Sequence, residues 1–166
     1  LDADITRPLE KRKRKFETPP RKPLDIIKRQ QQVHNINETY FPKQVNIKGL
    51  MASMFGENDS FDYNRQETLE GGGEGPGYGL FQFTDYYNPE TKKSGGHATD
   101  YKTFLATYEL EDSPESQIRY VADVIYGDKP IGRVGNKEKL KAALESGNEL
   151  RAAKGMVQFF FRPREY

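Results

Sequence analysis

The chain has 166 residues, of which 34% are apolar, and its mean hydropathy is −0.91. No segment approaches the roughly 18 consecutive apolar residues of a membrane span, and a chain without cysteine has neither disulfides nor thiolate chemistry. Its length predicts about one domain, and its two histidines are too few for a structural zinc site. The chain begins without a methionine or a secretory signal pattern, so we expect a processed or excerpted segment of a longer protein.

The net charge of +1 conceals a basic N-terminal segment. Residues 1–30 hold ten Lys/Arg and five Asp/Glu, whereas the rest of the chain holds 16 and 20. This segment also has three prolines between positions 7 and 22 and few large apolar side chains. It therefore buries too little surface to offset the entropy of ordering it. We predict an extended arm or linker over residues 1–32 and a folded body over residues 33–166.

Three roles fit this arm. It is a solvated linker, a strand that threads along a partner protein, or a segment that binds nucleic-acid phosphates through the basic run from Lys11 to Lys15. Nucleic acid fits least well, because the basic cluster is short and only Phe16 lies nearby to stack on bases.

Two helices are predicted around the start of the body. Residues 24–32 combine helix-forming side chains with two adjacent isoleucines, which predicts a short helix that joins the arm to the body. A second helix is predicted from Pro42, in its first turn, to Glu57. Apolar side chains recur at helical spacing along it and indicate a core helix: Val45, Ile47, Leu50, Met51, Met54, Phe55.

A long polar region follows this helix. Residues 58–79 include six glycines between positions 71 and 79, which predicts a glycine-rich loop. Residues 80–87 are rich in aromatic side chains and fit either a short strand or the start of a helix. Residues 88–98 predict a second polar loop, in which His97 is expected to be an exposed polar residue.

Four further helices complete the body, over residues 99–108, 114–126, 137–145 and 148–161. The second has the clearest limits, because Ser113 is a good N-cap, Pro114 suits the first helical position and Gly127 ends the helix. The fold class predicted is therefore mainly α (α+β), with a helical body, a glycine-rich cleft loop and a small β element.

Glu57 is the first candidate for catalysis. It ends the most apolar predicted helix, beside Phe55 and Gly56. A carboxyl group held against apolar walls has a raised pKa and can serve as a general acid near neutral pH. The alternative is a solvated Glu at a helix end, which is the commoner situation.

Two segments resemble the phage tail lysozyme family, GLMASMFGEN at 49–58 and GYGLFQFT at 77–84. That family belongs to the lysozyme-like group, with goose-type lysozymes and soluble lytic transglycosylases. In these proteins a helix ends in the catalytic Glu, and a Gly-Leu-X-Gln segment helps to build the saccharide cleft. The resemblance implies a lysozyme-like fold with Glu57 as the acid. Asn58 stands where the family commonly has Ser.

The C-terminal part resembles the same family. Residues 113–127 resemble its glutamine-bearing helix, and residues 150–165 resemble its alanine-rich last helix, with Phe161 in place of the usual Glu. The resemblance covers about residues 33–165 and implies a peptidoglycan-degrading glycosidase, either a lysozyme or a lytic transglycosylase. It implies a virion protein that opens the bacterial cell wall, in the periplasm or at the cell surface, during genome delivery. The arm would then contact other tail or internal virion proteins.

The glycine-rich segment supplies groups that suit a glycan. Sugars bind to aromatic platforms and to hydrogen-bonding side chains, and glycines allow the backbone to approach them closely. The predicted substrate-binding residues are Tyr78, Gly79, Phe81, Gln82 and Thr84. The alternatives are an ordinary mobile loop for the glycines and a helix-capping or core amide for Gln82.

Hydrolysis needs a second carboxylate as base or nucleophile. Six acidic residues lie near Glu57 in the sequence: Asp59, Asp62, Glu67, Glu70, Glu74, Asp85. Glu74 in the glycine loop and Asp85 after the Gly-Leu-Phe-Gln segment are the candidates. A lytic transglycosylase needs only one Glu, so the sequence leaves the reaction open. No metal or cofactor is predicted, and the alternative function is a non-catalytic structural or glycan-binding module.

Overall fold

The computed structural model describes residues 14–16, 23–69 and 72–161. The helices are α1 (Pro23–Tyr40), α2 (Ile47–Glu57), α3 (His97–Thr107), α4 (Pro114–Tyr126), α5 (Lys137–Leu144) and α6 (Glu149–Gly155), which continues as a π-helical segment (Met156–Phe161). The strands are β1 (Arg14–Phe16), β2 (Gln66–Leu69), β3 (Glu74–Tyr78), β4 (Asp85–Asn88) and β5 (Lys93–Gly96). The mainly α, α+β fold class is confirmed. Most of the predicted arm, Glu70, Gly71 and Pro163 lie outside the described residues.

The predicted glycine-rich loop contains a β-hairpin, so its assignment as a loop over residues 58–79 was wrong. Strands β2 and β3 pair antiparallel, and β1 adds to the other edge of β2 in the order β1-β2-β3. Glycine is needed in β3 for close packing, because a Cβ at Gly75 would lie 2.7 Å from the side chain of Glu67. The N-terminal segment thus contributes one strand to the sheet of its own chain.

A second hairpin occupies most of the other predicted loop. Strands β4 and β5 pair antiparallel, with Tyr86 opposite Gly95 and Asn88 opposite Lys93. Of the two readings of residues 80–87, the strand is correct from Asp85 onward, while the preceding residues form a turn. Helix α3 begins directly after β5, two residues earlier than predicted.

Helix α1 is longer than the predicted helix over residues 24–32. It begins at Pro23 and runs to Tyr40, so the predicted boundary between arm and body lies inside it. Its second half packs on α2, where Val33 and Asn37 are buried and the Asn37 Nδ2 donates to the Met51 sulfur over 3.1 Å. This packing stabilises helix α1 beyond residue 32, where the prediction from local sequence ended.

The predicted start of α2 at Pro42 was wrong. The helix begins at Ile47, because the Asn46 side chain accepts a hydrogen bond from the Gly49 N–H over 2.9 Å and acts as the N-cap. The predicted limits of α4 are confirmed, since the Ser113 hydroxyl oxygen accepts from the Ser116 N–H over 3.0 Å and Gly127 is the C-cap.

The core lies between α2, α4 and the C-terminal helical segments. Its largest fully buried side chains are Tyr120, Phe81, Phe83, Phe160, Leu50 and Met54. The Phe81 ring stacks on Phe83 with 5.8 Å between the centroids and contacts Phe160 at 6.0 Å. The turn after β3 is therefore anchored in the core by its aromatic side chains.

Gly49 allows α2 and α6 to approach closely. A Cβ at this position would lie 2.5 Å from the Ala152 Cβ and 2.6 Å from the Glu149 carbonyl oxygen. The Gly49→Ala variant is expected to lower the free energy of unfolding by about 1–3 kcal/mol, because the clash displaces backbone. Urea denaturation measures this loss. Gly56→Ala is the control, since a Cβ there meets nothing within 4 Å; equal effects at both positions would contradict the interpretation.

Candidate active site

Glu57 lies at the end of α2 in an open groove of about 530 Å³. The groove runs between α2 and the C-terminal helical segments, and the side chain of Glu57 is partly buried. The α2 wall consists of small residues, namely Ala52, Ser53 and Gly56. The facing wall contains Lys154 and Gln158. The groove therefore combines a carboxyl group, a narrow helical wall and polar groups opposite it.

Asn58 fixes the end of α2. Its backbone N–H donates to the Met54 carbonyl oxygen over 2.8 Å and ends the helix. Its buried side chain donates from Nδ2 to the carbonyl oxygens of Asp62, over 2.8 Å, and Gly79, over 3.1 Å. The Oδ1 accepts from the Ser60 hydroxyl over 3.0 Å. A serine at this position has too few polar atoms for all these bonds, so this network requires the asparagine side chain.

Asn58 thereby links the residue after Glu57 to the turn at Gly79. Gly79 has a φ of +84° and Gln82 a φ of +49°, and the Gln82 N–H donates to the Gly79 carbonyl oxygen over 3.2 Å. The Gln117 side chain holds the same turn from α4, because its Oε1 accepts from the Leu80 N–H over 2.9 Å. The turn is a compact element fixed from two helices.

Three of the predicted sugar-binding side chains lie in the interior. Phe81, Gln82 and Thr84 are each at most 7% exposed. The Gln82 Nε2 donates to the Gly79 carbonyl oxygen over 2.7 Å, and the Thr84 hydroxyl donates to the Gln82 carbonyl oxygen over 2.8 Å. The core-amide alternative thus describes the position of Gln82. None of the three lines the groove of Glu57.

Tyr78 is half-buried and is held by an acidic side chain. Its hydroxyl donates to the Asp112 Oδ2 over 2.6 Å, while the Tyr101 hydroxyl donates to Oδ1 of the same carboxylate over 2.6 Å. Burial, and then the bond to Asp112, raise the pKa of both tyrosines. Both hydroxyls therefore remain protonated, and the Tyr78 hydroxyl ties the end of β3 to Asp112.

The two candidates for a second carboxylate lie elsewhere on the molecule. Glu74 is exposed at the start of β3. Asp85 accepts from the Thr99 N–H over 2.9 Å and from the Thr99 hydroxyl over 2.6 Å, which stabilises the start of α3. Neither lines the groove that contains Glu57.

Other acidic residues near Glu57 in the sequence have structural contacts of their own. Asp59 forms an ion pair with Arg65 at 2.9 Å. Glu67 is buried, and its Oε1 accepts from the Gly77 N–H over 3.1 Å. These contacts account for two of the six acidic residues without a catalytic role.

The facing wall of the groove was not predicted from the sequence. Lys154 and Gln158 are about one hundred positions from Glu57, and neither belongs to a catalytic motif. A usable signal was the pairing of Gly49 with the alanines at 152 and 153, because small residues on two helices indicate close approach.

His97 is buried, so its prediction as an exposed residue was wrong. Its ring stacks on Phe160 with 4.0 Å between the centroids, and Nδ1 shares a hydrogen bond with the Tyr120 hydroxyl over 2.8 Å. The cause is long-range packing, since the C-terminal π-helical segment covers the start of α3. Burial lowers the pKa of His97 to about 4.

This burial makes stability depend on pH. Between about pH 6.5 and 4 the unfolded chain binds a proton at His97 and the folded chain does not. The contribution to stability is therefore complete above pH 6.5 and falls by about 3 kcal/mol as the pH decreases to 4. In urea denaturation, His97→Phe is expected to lose less stability over this interval than the wild type. Parallel pH profiles of the two proteins would contradict this.

Within residues 14–16, 23–69 and 72–161, no group of three or more His, Asp or Glu side chains is placed to hold a metal ion. The helices in this part of the chain are too short or too polar to cross a membrane. No protein-family model matches the chain, and comparison with characterised proteins and with solved structures finds no significant match.

Proposed function

We propose that this chain cleaves the glycan strands of bacterial peptidoglycan, with Glu57 as the general acid. The observation that carries the proposal is the position of Glu57, partly buried at the end of an apolar helix and inside an open groove of about 530 Å³. An open groove suits a polymer, and a carboxyl group that lines it is in a position to protonate the oxygen between two bound sugars.

The lining of the groove supports a polar substrate. The small residues Ala52 and Gly56 allow a strand to lie close to the backbone of α2. Opposite them, the Gln158 amide offers a donor and an acceptor for hydroxyl or acetamido groups, and Lys154 offers a positive charge for the carboxylates of peptidoglycan stems. These polar groups of the facing wall support the proposal of a polar, partly anionic substrate.

The reaction begins with transfer of the Glu57 proton to the glycosidic oxygen. The bond between this oxygen and the anomeric carbon breaks, and an oxocarbenium-like sugar forms. Either water or the sugar's own hydroxyl then adds to the anomeric carbon, and the proton released returns to the Glu57 carboxylate. Water gives a reducing end, as in a lysozyme, and the internal hydroxyl gives an anhydro end, as in a lytic transglycosylase.

The resemblance to phage tail lysozymes supplies the setting of the proposal. The chain acts as part of a virion at the bacterial cell wall, which it opens locally during genome delivery. The N-terminal basic residues contact other virion proteins in this account.

Digestion of purified peptidoglycan by the wild-type chain tests the proposal. Mass spectrometry of the soluble products is expected to find new reducing or anhydro glycan ends. Fragments cut only within the peptide stems would contradict glycan cleavage. Binding to peptidoglycan with no new ends would support the non-catalytic glycan-binding module instead.

A further inference from the structure

A second open groove, of about 610 Å³, lies between α1 and α2. Ala52 lines both this groove and the groove of Glu57, so the two meet at the exposed surface of α2. Phe55 and Gly56 follow Ala52 by three and four positions and share its helical face, and all three residues are exposed. We name the second depression the α1–α2 groove. A strand bound in the Glu57 groove that continues across Ala52 would therefore reach the α1–α2 groove.

Phe55 provides a fixed aromatic surface at this junction. Phe55 is 53% exposed although it belongs to the apolar helix α2. The ring contacts the ring of Phe61 with 6.1 Å between the centroids, and Phe61 is buried. One side of Phe55 is thus supported by the core. The accessible side offers an apolar surface to the C–H face of a sugar ring.

Helix α1 is held in a defined position against α2. The Arg29 Nε donates to the Ser60 carbonyl oxygen over 2.8 Å, close to the end of α2. Asn37 donates to the sulfur of Met51, further along the same pair of helices. The side chains that α1 contributes to the groove therefore have a fixed relation to Phe55.

Those side chains are largely polar. Gln30, Gln31 and His34 line the α1 side of the groove, beside the exposed Ile27. The Gln31 Nε2 donates to the Asn35 Oδ1 over 3.0 Å, which orients the amide along the helix. Amides next to an aromatic surface match sugar hydroxyl and acetamido groups better than the apolar side chains of a protein segment.

We propose that the α1–α2 groove binds the sugars of a glycan strand on one side of the bond that Glu57 cleaves. Phe55 stacks on one sugar ring, and the amides of Gln30 and Gln31 bind its polar groups. This inference rests on the proposed function for the identity of the ligand. It makes α1, most of which lies in the region predicted as a linker, part of the substrate-binding surface.

Kinetics on peptide-free glycan strands, sorted by length, test this groove. Phe55→Ala is expected to raise KM for long strands about 10-fold with kcat nearly unchanged. It is expected to leave cleavage of short oligosaccharides, which fill only the Glu57 groove, unaffected. Tyr87→Ala is the matched control, because Tyr87 is an exposed aromatic residue of β4 that lines neither groove. If Phe55→Ala behaves like Tyr87→Ala, the inference is wrong.

A second variant and a binding measurement separate this inference from the proposed function. Gln31→Ala removes an exposed amide at a helical position that alanine favours, so it is expected to fold and to raise KM in the same way. Calorimetric binding of long strands to Glu57→Gln, with and without Phe55→Ala, requires no cleavage. Weaker binding on loss of Phe55 supports the groove even if the wild type releases no ends, which would overturn only the proposed function. Equal binding overturns the groove.

Discussion

Glu57→Gln is expected to cleave peptidoglycan about 10³-fold more slowly than the wild type. Glutamine keeps the size and shape of the side chain in the groove but has no acidic proton for the leaving oxygen. Initial rates of release from labelled, purified peptidoglycan measure the effect. A thermal unfolding midpoint close to that of the wild type shows that the variant is folded.

Other carboxylates provide the controls for this variant. Glu90→Gln changes an exposed residue of the turn between β4 and β5 and is expected to leave the rate unchanged. Glu74→Gln is expected to leave the rate unchanged as well, because Glu74 does not line the groove of Glu57. If Glu57→Gln and Glu90→Gln both retain the wild-type rate, Glu57 is not the acid.

Of the variants proposed for this chain, Gly79→Ala is expected to lower the free energy of unfolding most, by about 4 kcal/mol or more. The φ of +84° disfavours any side chain, and a Cβ there would lie 2.6 Å from the Oε1 of Gln117. That oxygen accepts the Leu80 N–H, and Gln117 also donates to the Tyr63 carbonyl oxygen and to Asp112. Displacing this fully buried amide leaves several polar groups unpaired. Urea denaturation followed by circular dichroism measures the loss.

Gly72→Ala is the matched control for Gly79→Ala. Gly72 also has a positive φ, +103°, but a Cβ there meets nothing within 4 Å. Its expected cost is the backbone strain alone, about 1–2 kcal/mol. Equal losses at the two positions would show that the contact with Gln117 does not stabilise the turn.

The helices were predicted where their ends are determined by neighbouring residues. Ser113, Pro114 and Gly127 delimit α4 through short-range hydrogen bonds and a fixed φ, and the structure has the same limits. At the start of α2 the prediction from Pro42 was wrong, because Asn46 caps the helix instead and its N–H donates to the carbonyl oxygen of Leu144, a distant residue of α5.

The missed elements depend on contacts between distant residues. The strand β3 needs Gly75 because Glu67 lies against it, and the sheet is completed by a strand from the N-terminal segment. His97 is buried because Phe160, more than sixty positions later, covers it. From local composition alone, Gly75 and His97 are predicted to be loop residues.

In the candidate site, too, the features set by neighbouring residues were predicted and those set by distant contacts were not. Glu57 could be proposed as a candidate acid from the sequence, because the helix that it ends and its apolar neighbours are adjacent to it in the chain. The groove around it was not predicted, because its facing wall comes from α6 and the π-helical segment. Phe81 and Gln82 were predicted to face a sugar. Their side chains instead pack inward, because the turn after Gly79 is anchored in the core.

The most direct measurement is the number of new glycan ends that wild type and Glu57→Gln release from the same purified peptidoglycan. We expect the wild type to accumulate reducing or anhydro ends in proportion to its concentration, and Glu57→Gln to accumulate almost none. Equal release by both proteins would contradict the role of Glu57, and no release by the wild type would contradict glycan cleavage itself.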